Sequence, residues 1–141
     1  LVVSSVVMLS RNYFFVFPRE QSQSFQYALT KTIPYVLQVQ NTYDRIVFSN
    51  RENLYQSYMF YLFNSRYDPR QYLLFGGTKS GGFAEVHSFN KFEFRPIDWN
   101  KDSLLQNTLL IGNPNDFPPG ISALEHFLYL DGKVGVVAVK K

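Results

Sequence analysis

"YDRIVFSNRENLYQSYMFYLFNSRYDP", residues 43–69, decides the fold class. Its β-branched and aromatic run Ile46 to Ser49, bounded by turn formers, reads as a short buried strand. After Asn50 and the charged Arg51-Glu52-Asn53, aromatics crowd positions 55 to 63. At helical spacing Tyr55, Met59, Leu62 and Phe63 make one stripe, and Tyr58, Phe60 and Tyr61 widen it over most of the circumference. Such a helix is expected to be covered on nearly all sides. It falls well short of the ~20 residues that cross a bilayer, and the hydroxyls of Tyr55, Tyr58 and Tyr61 need hydrogen-bond partners. Asp68 then offers an N-cap, with Pro69 in the first position of another short helix.

Working outward, "REQSQSFQYALTKTIPYVLQVQ" places Phe25, Leu29, Ile33, Val36 and Leu37 at helical spacing, with Ser22 or Ser24 as N-cap. Pro34 gives no amide hydrogen, so that helix is expected to kink or break near Thr30 to Ile33. Toward the C-terminus strands dominate. "FAEVHSFNKFEF" alternates in two pieces, Phe83 to Ser88 and Phe92 to Phe94, joined by a hairpin around Asn90. Thr108 to Ile111 is a further strand, and Pro114 can start a helical turn. Asp131-Gly132 between two apolar runs marks a primed-turn hairpin. The expected fold is therefore α/β: a mixed sheet with helices packed on its faces, parallel in the first half and finishing in antiparallel hairpins at the C-terminal end.

At 141 residues the chain has the length of one domain, 1–141, able to bury a sizeable core. It is 18% aromatic, which shifts that core toward flat side chains, and its 18% charged content is that of a globular chain. With 0 cysteines there is no disulfide framework, thiolate nucleophile or Cys-based zinc site. The net charge of +3 comes from scattered basic residues, so nucleic acid is not an expected partner. "LVVSSVVMLSRNYFFVFP" is uncharged up to Arg11 and lacks the basic n-region of a secretory signal. Residues 1–12 are read as a first strand or as a membrane-proximal lead-in, and the chain as cut from something longer.

Signals for chemistry are sparse. His87 and His126 are far apart, and neither belongs to a metal-spaced pair, so both read as structural or surface residues. "GGTKSGG", residues 76–82, lacks the P-loop spacing and reads as a surface connector. A doubly wound binder would hold its ligand at the strand carboxyl ends, near Ser49 to Asn53. In "IDWNKD", Asp98, Trp99, Asn100 and Asp102 could bind a sugar, with the indole stacked on its ring and the polar groups on its hydroxyls. Alternatively, Trp99 anchors a loop with solvated acids around it. No catalytic residue, metal ligand or cofactor-binding motif stands out.

"YFFVFPREQSQSFQYALTKTIPYV", "YDRIVFSN", "YMFYLFNSRYDPRQY", "SFNKFEFRPIDWNKD", "TLLIGNPNDFP" and "YLDGKV" follow one another between residues 13 and 134. Together they resemble the soluble C-terminal domain of bacterial and archaeal polytopic glycosyltransferases of the dolichyl-phosphate-mannose protein mannosyltransferase type, relatives of the aminoarabinose transferases. The resemblance implies a membrane-embedded parent that moves a sugar from a polyprenyl-phosphate carrier to an acceptor, with this domain on the extracytoplasmic side. It implies as partners the transmembrane part of the parent chain, a nearby membrane surface, and a polyprenyl-phosphate sugar or glycan acceptor. In that family the catalytic acid lies in an early loop between membrane helices, and no position of this chain matches that motif. The other reading is a structural or protein-interaction domain without a ligand.

Overall fold

The computed structural model describes residues 2–82 and 85–141. Six strands form one mixed sheet: β1 (Arg45–Phe48), β2 (His87–Phe89), β3 (Phe92–Phe94), β4 (Thr108–Gly112), β5 (Glu125–Leu128) and β6 (Val134–Lys140), in spatial order β2-β3-β1-β4-β6-β5. β1 pairs in parallel with β3 on one side and β4 on the other, Val47 lying opposite Glu93 and Leu110. β2 and the β5–β6 pair add antiparallel edges at the two sides. The expected α/β class and mixed sheet are thus observed, with one refinement: an antiparallel hairpin flanks the parallel core on both edges, not at the C-terminal side alone.

Both hairpins turn where the sequence places them. Asn90 takes φ +54° between Phe89 and Phe92, and Gly132 takes φ +85° beyond Asp131, the positive values that primed hairpin turns need. Phe83 and Ala84, the start of the expected 83–88 strand, lie outside the described residues; the strand described there is His87–Phe89.

The two faces of the sheet carry two cores. On one, Ile46, Phe48, Phe92, Phe94, Leu109, Ile111, Val136 and Ala138 meet α3 (Leu29–Val39) and α4 (Ser57–Ser65). Aromatic rings fill this layer: Phe48 stacks on Phe94 at 5.1 Å, Phe94 on Phe89 at 5.2 Å, and Tyr61 lies 4.2 Å from Phe92. Most of the aromatic wealth is therefore core packing, in which each ring buries ~150–250 Å². On the other face Val47, Leu110, Val137 and Val139 are covered by Ile97, by Phe117 and by the short α6 (Trp99–Asp102). Close approach is tightest at Gly135, where a Cβ would stand 2.6 Å from the Tyr129 ring and 2.8 Å from Ala28 Cβ.

Several expectations are corrected. Val2–Arg11 is a helix, α1, not a strand, and continues through a π-turn over Asn12–Val16 into α2 (Phe17–Glu20). Pro18 cannot donate to the carbonyl four residues back, which fits a widened turn at this place. Residues 21–28 form turns, so α3 starts at Leu29 and neither Ser22 nor Ser24 caps it; Phe25 is 64% exposed. Pro34 sits inside α3 without ending it. Pro34 and Thr30, whose carbonyl loses its donor, are both exposed residues, so the missing bond falls on the solvent side of the helix. α4 buries Tyr58 and Tyr61, while Met59 and Phe63 are 36% and 83% exposed; the covered stripe is one step out of phase with the expected one, and the helix is not covered on all sides. α5 (Pro69–Leu74) begins as expected, the Asp68 carboxylate accepting the Arg70 N–H at 2.8 Å.

Candidate functional site

The "IDWNKD" segment follows β3 and forms α6. Its four candidate residues do not converge on one point. Arg95, immediately after β3, donates from Nη1 and Nη2 to the two Asp102 oxygens at 2.9 and 2.8 Å and from Nε to Glu93 at 2.8 Å. Asp102 also accepts the Asp98 N–H at 2.8 Å and is 3% exposed. Burial alone would raise its pKa, but the guanidinium fork and that N–H outweigh it and hold the carboxyl below its usual value. The same pairing raises the Arg95 pKa. Glu93 extends the network to Arg45 at 3.3 Å. Asp102 is therefore not a solvated acid: it latches α6 to the end of β3, and its oxygens are taken up in doing so.

Trp99 is half-buried against the second core, edge-on to Phe117 with centroids 5.9 Å apart, and Lys141 Nζ lies 4.5 Å from its ring centroid. Asp98 pairs with Lys101 at 3.3 Å with its side chain 46% exposed, and Asn100 is exposed. Trp99, Asp98 and Asn100 all reach solvent here, with the Lys141 ammonium over the indole ring. That surface can stack and accept hydrogen bonds; it holds no buried base or nucleophile.

A second polar cluster lies at the β2 edge. His87 is 5% exposed, stacks on Tyr58 at 3.9 Å, and its Nδ1 is 3.2 Å from the Tyr72 hydroxyl, which reaches Thr78 Oγ1 at 3.0 Å. Burial pushes the His87 pKa down; Glu85, whose Oε2 is 3.5 Å from Nε2, pulls it back. The other Glu85 oxygen accepts the Lys79 and Ser80 N–H groups at 3.1 and 2.9 Å. Burial would raise this carboxyl as well, but those donors leave it below its ordinary value. Two N–H groups of the loop are thus filled by the chain's own carboxylate and not open to a phosphate, and residues 76–82 form a tied connector. His87 is structural, as the sequence suggests, while His126 is exposed on β5 at the opposite edge of the sheet.

The carboxyl ends of β1 and β4, where chain connections depart in opposite directions, are where a doubly wound protein would hold a ligand. Here residues 21–28 cross that pole. Gln26 Nε2 donates to Gln56 Oε1 at 3.0 Å, its own Oε1 accepts the Gln56 N–H at 3.3 Å, and Gln23 donates to Asp131 at 2.8 Å. Ser49 is buried, and Ser57 Oγ bonds its carbonyl at 3.1 Å. Among the described residues no group of three His, Asp or Glu side chains gathers into a metal site.

Sequence reasoning missed Arg95, whose signal was its place on the same strand face as Glu93, opposite Phe92 and Phe94. It also missed the exposed run Leu73-Leu74-Phe75, visible as three apolar residues abutting a glycine-rich loop. No protein-family model, no curated protein and no solved structure matches the chain.

Proposed function

We propose that this chain is an accessory extracytoplasmic domain of a membrane glycosyltransferase that moves a sugar from a polyprenyl-phosphate carrier to an acceptor, and that it aids recognition of the sugar or acceptor without supplying the catalytic acid. The reading is carried by the collinear motifs between residues 13 and 134. Their positions in the fold are compatible with it: the Tyr-Asp-Arg-Ile run leads into and forms a central strand, Tyr-Asp-Pro caps α5, Phe-Arg-Pro-Ile-Asp-Trp builds the Arg95–Asp102 latch, and Leu-Asp-Gly-Lys closes the last hairpin. Within it, recognition falls to half-buried Trp99, once Lys141 is displaced from its ring, with Asp98 and Asn100, while Asp102 positions the loop that carries them.

The engagement of Asp102 and the packing of Trp99 on Phe117 favour a second reading, a structural or protein-interaction domain that binds no ligand. An NMR shift titration with mannose-type oligosaccharides and a short-chain polyprenyl-phosphate sugar separates the two. Saturable shifts around Trp99, abolished in Trp99→Ala with the remaining spectrum unchanged, support recognition. Flat spectra at tens of millimolar ligand overturn it in favour of the structural reading.

A further inference from the structure

The end of α4, α5 and the glycine-rich loop expose an apolar face that the folded chain leaves uncovered. Phe63 is 83% exposed, Leu73 70%, Leu74 78% and Phe75 52%. These are large side chains held outward from helices whose other faces are packed: Tyr58 and Tyr61 of α4 are in the core, and Tyr72 of α5 bonds His87 and Thr78. Between the helices runs an open groove of about 390 Å³ lined by Met59, Leu62, Phe63, Pro69, Tyr72 and Thr78, so that Phe63 and α5 border one groove. Tyr72 and Phe75 continue it to Lys79 in the adjoining cavity. Scattered exposed apolar residues are ordinary, whereas a contiguous patch of this kind marks an interaction surface.

Charge selects the partner. Along residues 55–85 the basic side chains are Arg66, Arg70 and Lys79, all exposed, against the two acids Asp68 and Glu85, whose carboxylates are turned to the chain's own N–H groups, Asp68 to that of Arg70 and Glu85 to those of Lys79 and Ser80. Protruding Phe and Leu rimmed by cations is the pattern of a surface that lies in an anionic headgroup layer. Half-buried Tyr67 and Tyr72 add the amphipathic rings favoured at that depth. Phe63, Arg66 and Tyr67 lie toward the amino end of β3, where Tyr67 packs on Phe89 opposite Phe92, whereas the 76–82 loop approaches its carboxyl end, β2 beginning at His87 opposite Phe94, so the face runs along the β2 edge of the sheet. That carboxyl end of the sheet receives residues 21–28, which follow the exposed apolar helix Val2–Arg11, through the Gln26–Gln56 and Gln23–Asp131 bonds.

We infer that this face docks on an anionic lipid surface, Phe63, Leu73, Leu74 and Phe75 entering the headgroup layer while Arg66, Arg70 and Lys79 meet the phosphates. The inference stands on the patch and not on the sugar-transfer reading, so the failure of one leaves the other untouched.

Because the chain has 0 cysteines, a polarity-sensitive dye can be placed at one site at a time. The full chain is labelled at Leu74→Cys or, at the opposite sheet edge, at His126→Cys, and mixed with phosphatidylcholine vesicles with and without one quarter phosphatidylglycerol. The expected result is a blue shift at position 74 on the anionic vesicles, weaker on neutral ones and in high salt, and none at position 126. Removing Arg66, Arg70 and Lys79 as glutamines should weaken partitioning roughly fivefold per charge, about a hundredfold together. Because α1 is itself apolar, the position of the shift, not binding alone, is the readout. Equal shifts at 74 and 126, no shift at 74, or no dependence on anionic lipid overturns the inference. A shift at 74 that grows with protein concentration without vesicles overturns it in favour of a second copy of the chain.

Discussion

Asp102→Asn attacks the latch that fixes α6. The wild-type carboxylate accepts three donors at 2.8 to 2.9 Å and is 3% exposed, so removing its charge leaves the Arg95 guanidinium facing a neutral amide in a nearly dry site. Breaking a buried ion pair from one side costs about 3–5 kcal/mol. Arg95 keeps Glu93 and its side chain is 26% exposed, which places the loss at the low end, about 3 kcal/mol. For a chain of this length that lowers Tm by roughly 10 °C. Urea unfolding at pH 7 followed by Trp99 fluorescence measures it, with the m-value unchanged. The pH dependence follows from the lowered Asp102 pKa: stabilisation is complete above the unfolded value of 3.8 and is lost as pH falls through the folded one. The gap between wild type and variant should therefore be constant from pH 7 to 5 and close below about 4. A gap under about 0.5 kcal/mol at pH 7, or one that persists undiminished to pH 2, refutes the latch.

His87 is buried with its pKa pushed down, so the unfolded chain binds the proton more readily; wild-type stability should fall as pH drops below 6.5, and His87→Phe should flatten that slope in paired urea titrations at pH 7.5 and 5. Gly135→Ala forces a Cβ to 2.6 Å from the Tyr129 ring and should cost about 1–3 kcal/mol by the same assay; a neutral effect means the ring is free to move. Gln26 adopts φ +53° with its amide bonded twice to Gln56, so Gln26→Gly relieves backbone strain yet loses both bonds. A net loss of about 1 kcal/mol is expected, and a stabilised variant would show that the bridge holds nothing.

The strands were legible because their signals are local. Val47 and Leu110 lie in β-branched and leucine runs closed by turn residues, and Asp131-Gly132 names its turn type. The helices were less so, each for a physical reason. α4 is apolar around most of its circumference, so periodicity could not choose between the stripe through Met59 and Phe63 and the observed one through Tyr58 and Tyr61. The N-terminal valines favour strands by propensity, yet α1 buries no residue and makes no strand pairing. Residues 21–28 depend on a buried glutamine in a left-handed conformation, a tertiary bond to Gln56 with no local sequence signal. In "IDWNKD", spacing showed two acids but not that Asp102 turns inward to Arg95 and Asp98 outward to Lys101, which depends on where β3 ends.

At three places where this architecture could hold a ligand, the chain answers with its own side chains: Gln26 and Gln56 at the sheet's carboxyl pole, Glu85 in the loop amides, Asp102 on the Arg95 fork. Such internal pairings remove polar groups from chemistry while they fix geometry, since every donor they satisfy is one that a substrate would have to displace at the cost of about 1–3 kcal/mol. Beside the exposed apolar helix α1, two surfaces available for contact are the Trp99 rim on one face and the Phe63 to Phe75 patch at the opposite layer, each built on a latch: Arg95–Asp102 beneath the first, Tyr72–His87 and Glu85 beneath the second. Rigid support lowers the ordering cost of binding to an extended partner, whether glycan or lipid surface. That division of labour sets interior polarity to fix shape and leaves exterior rings for contact.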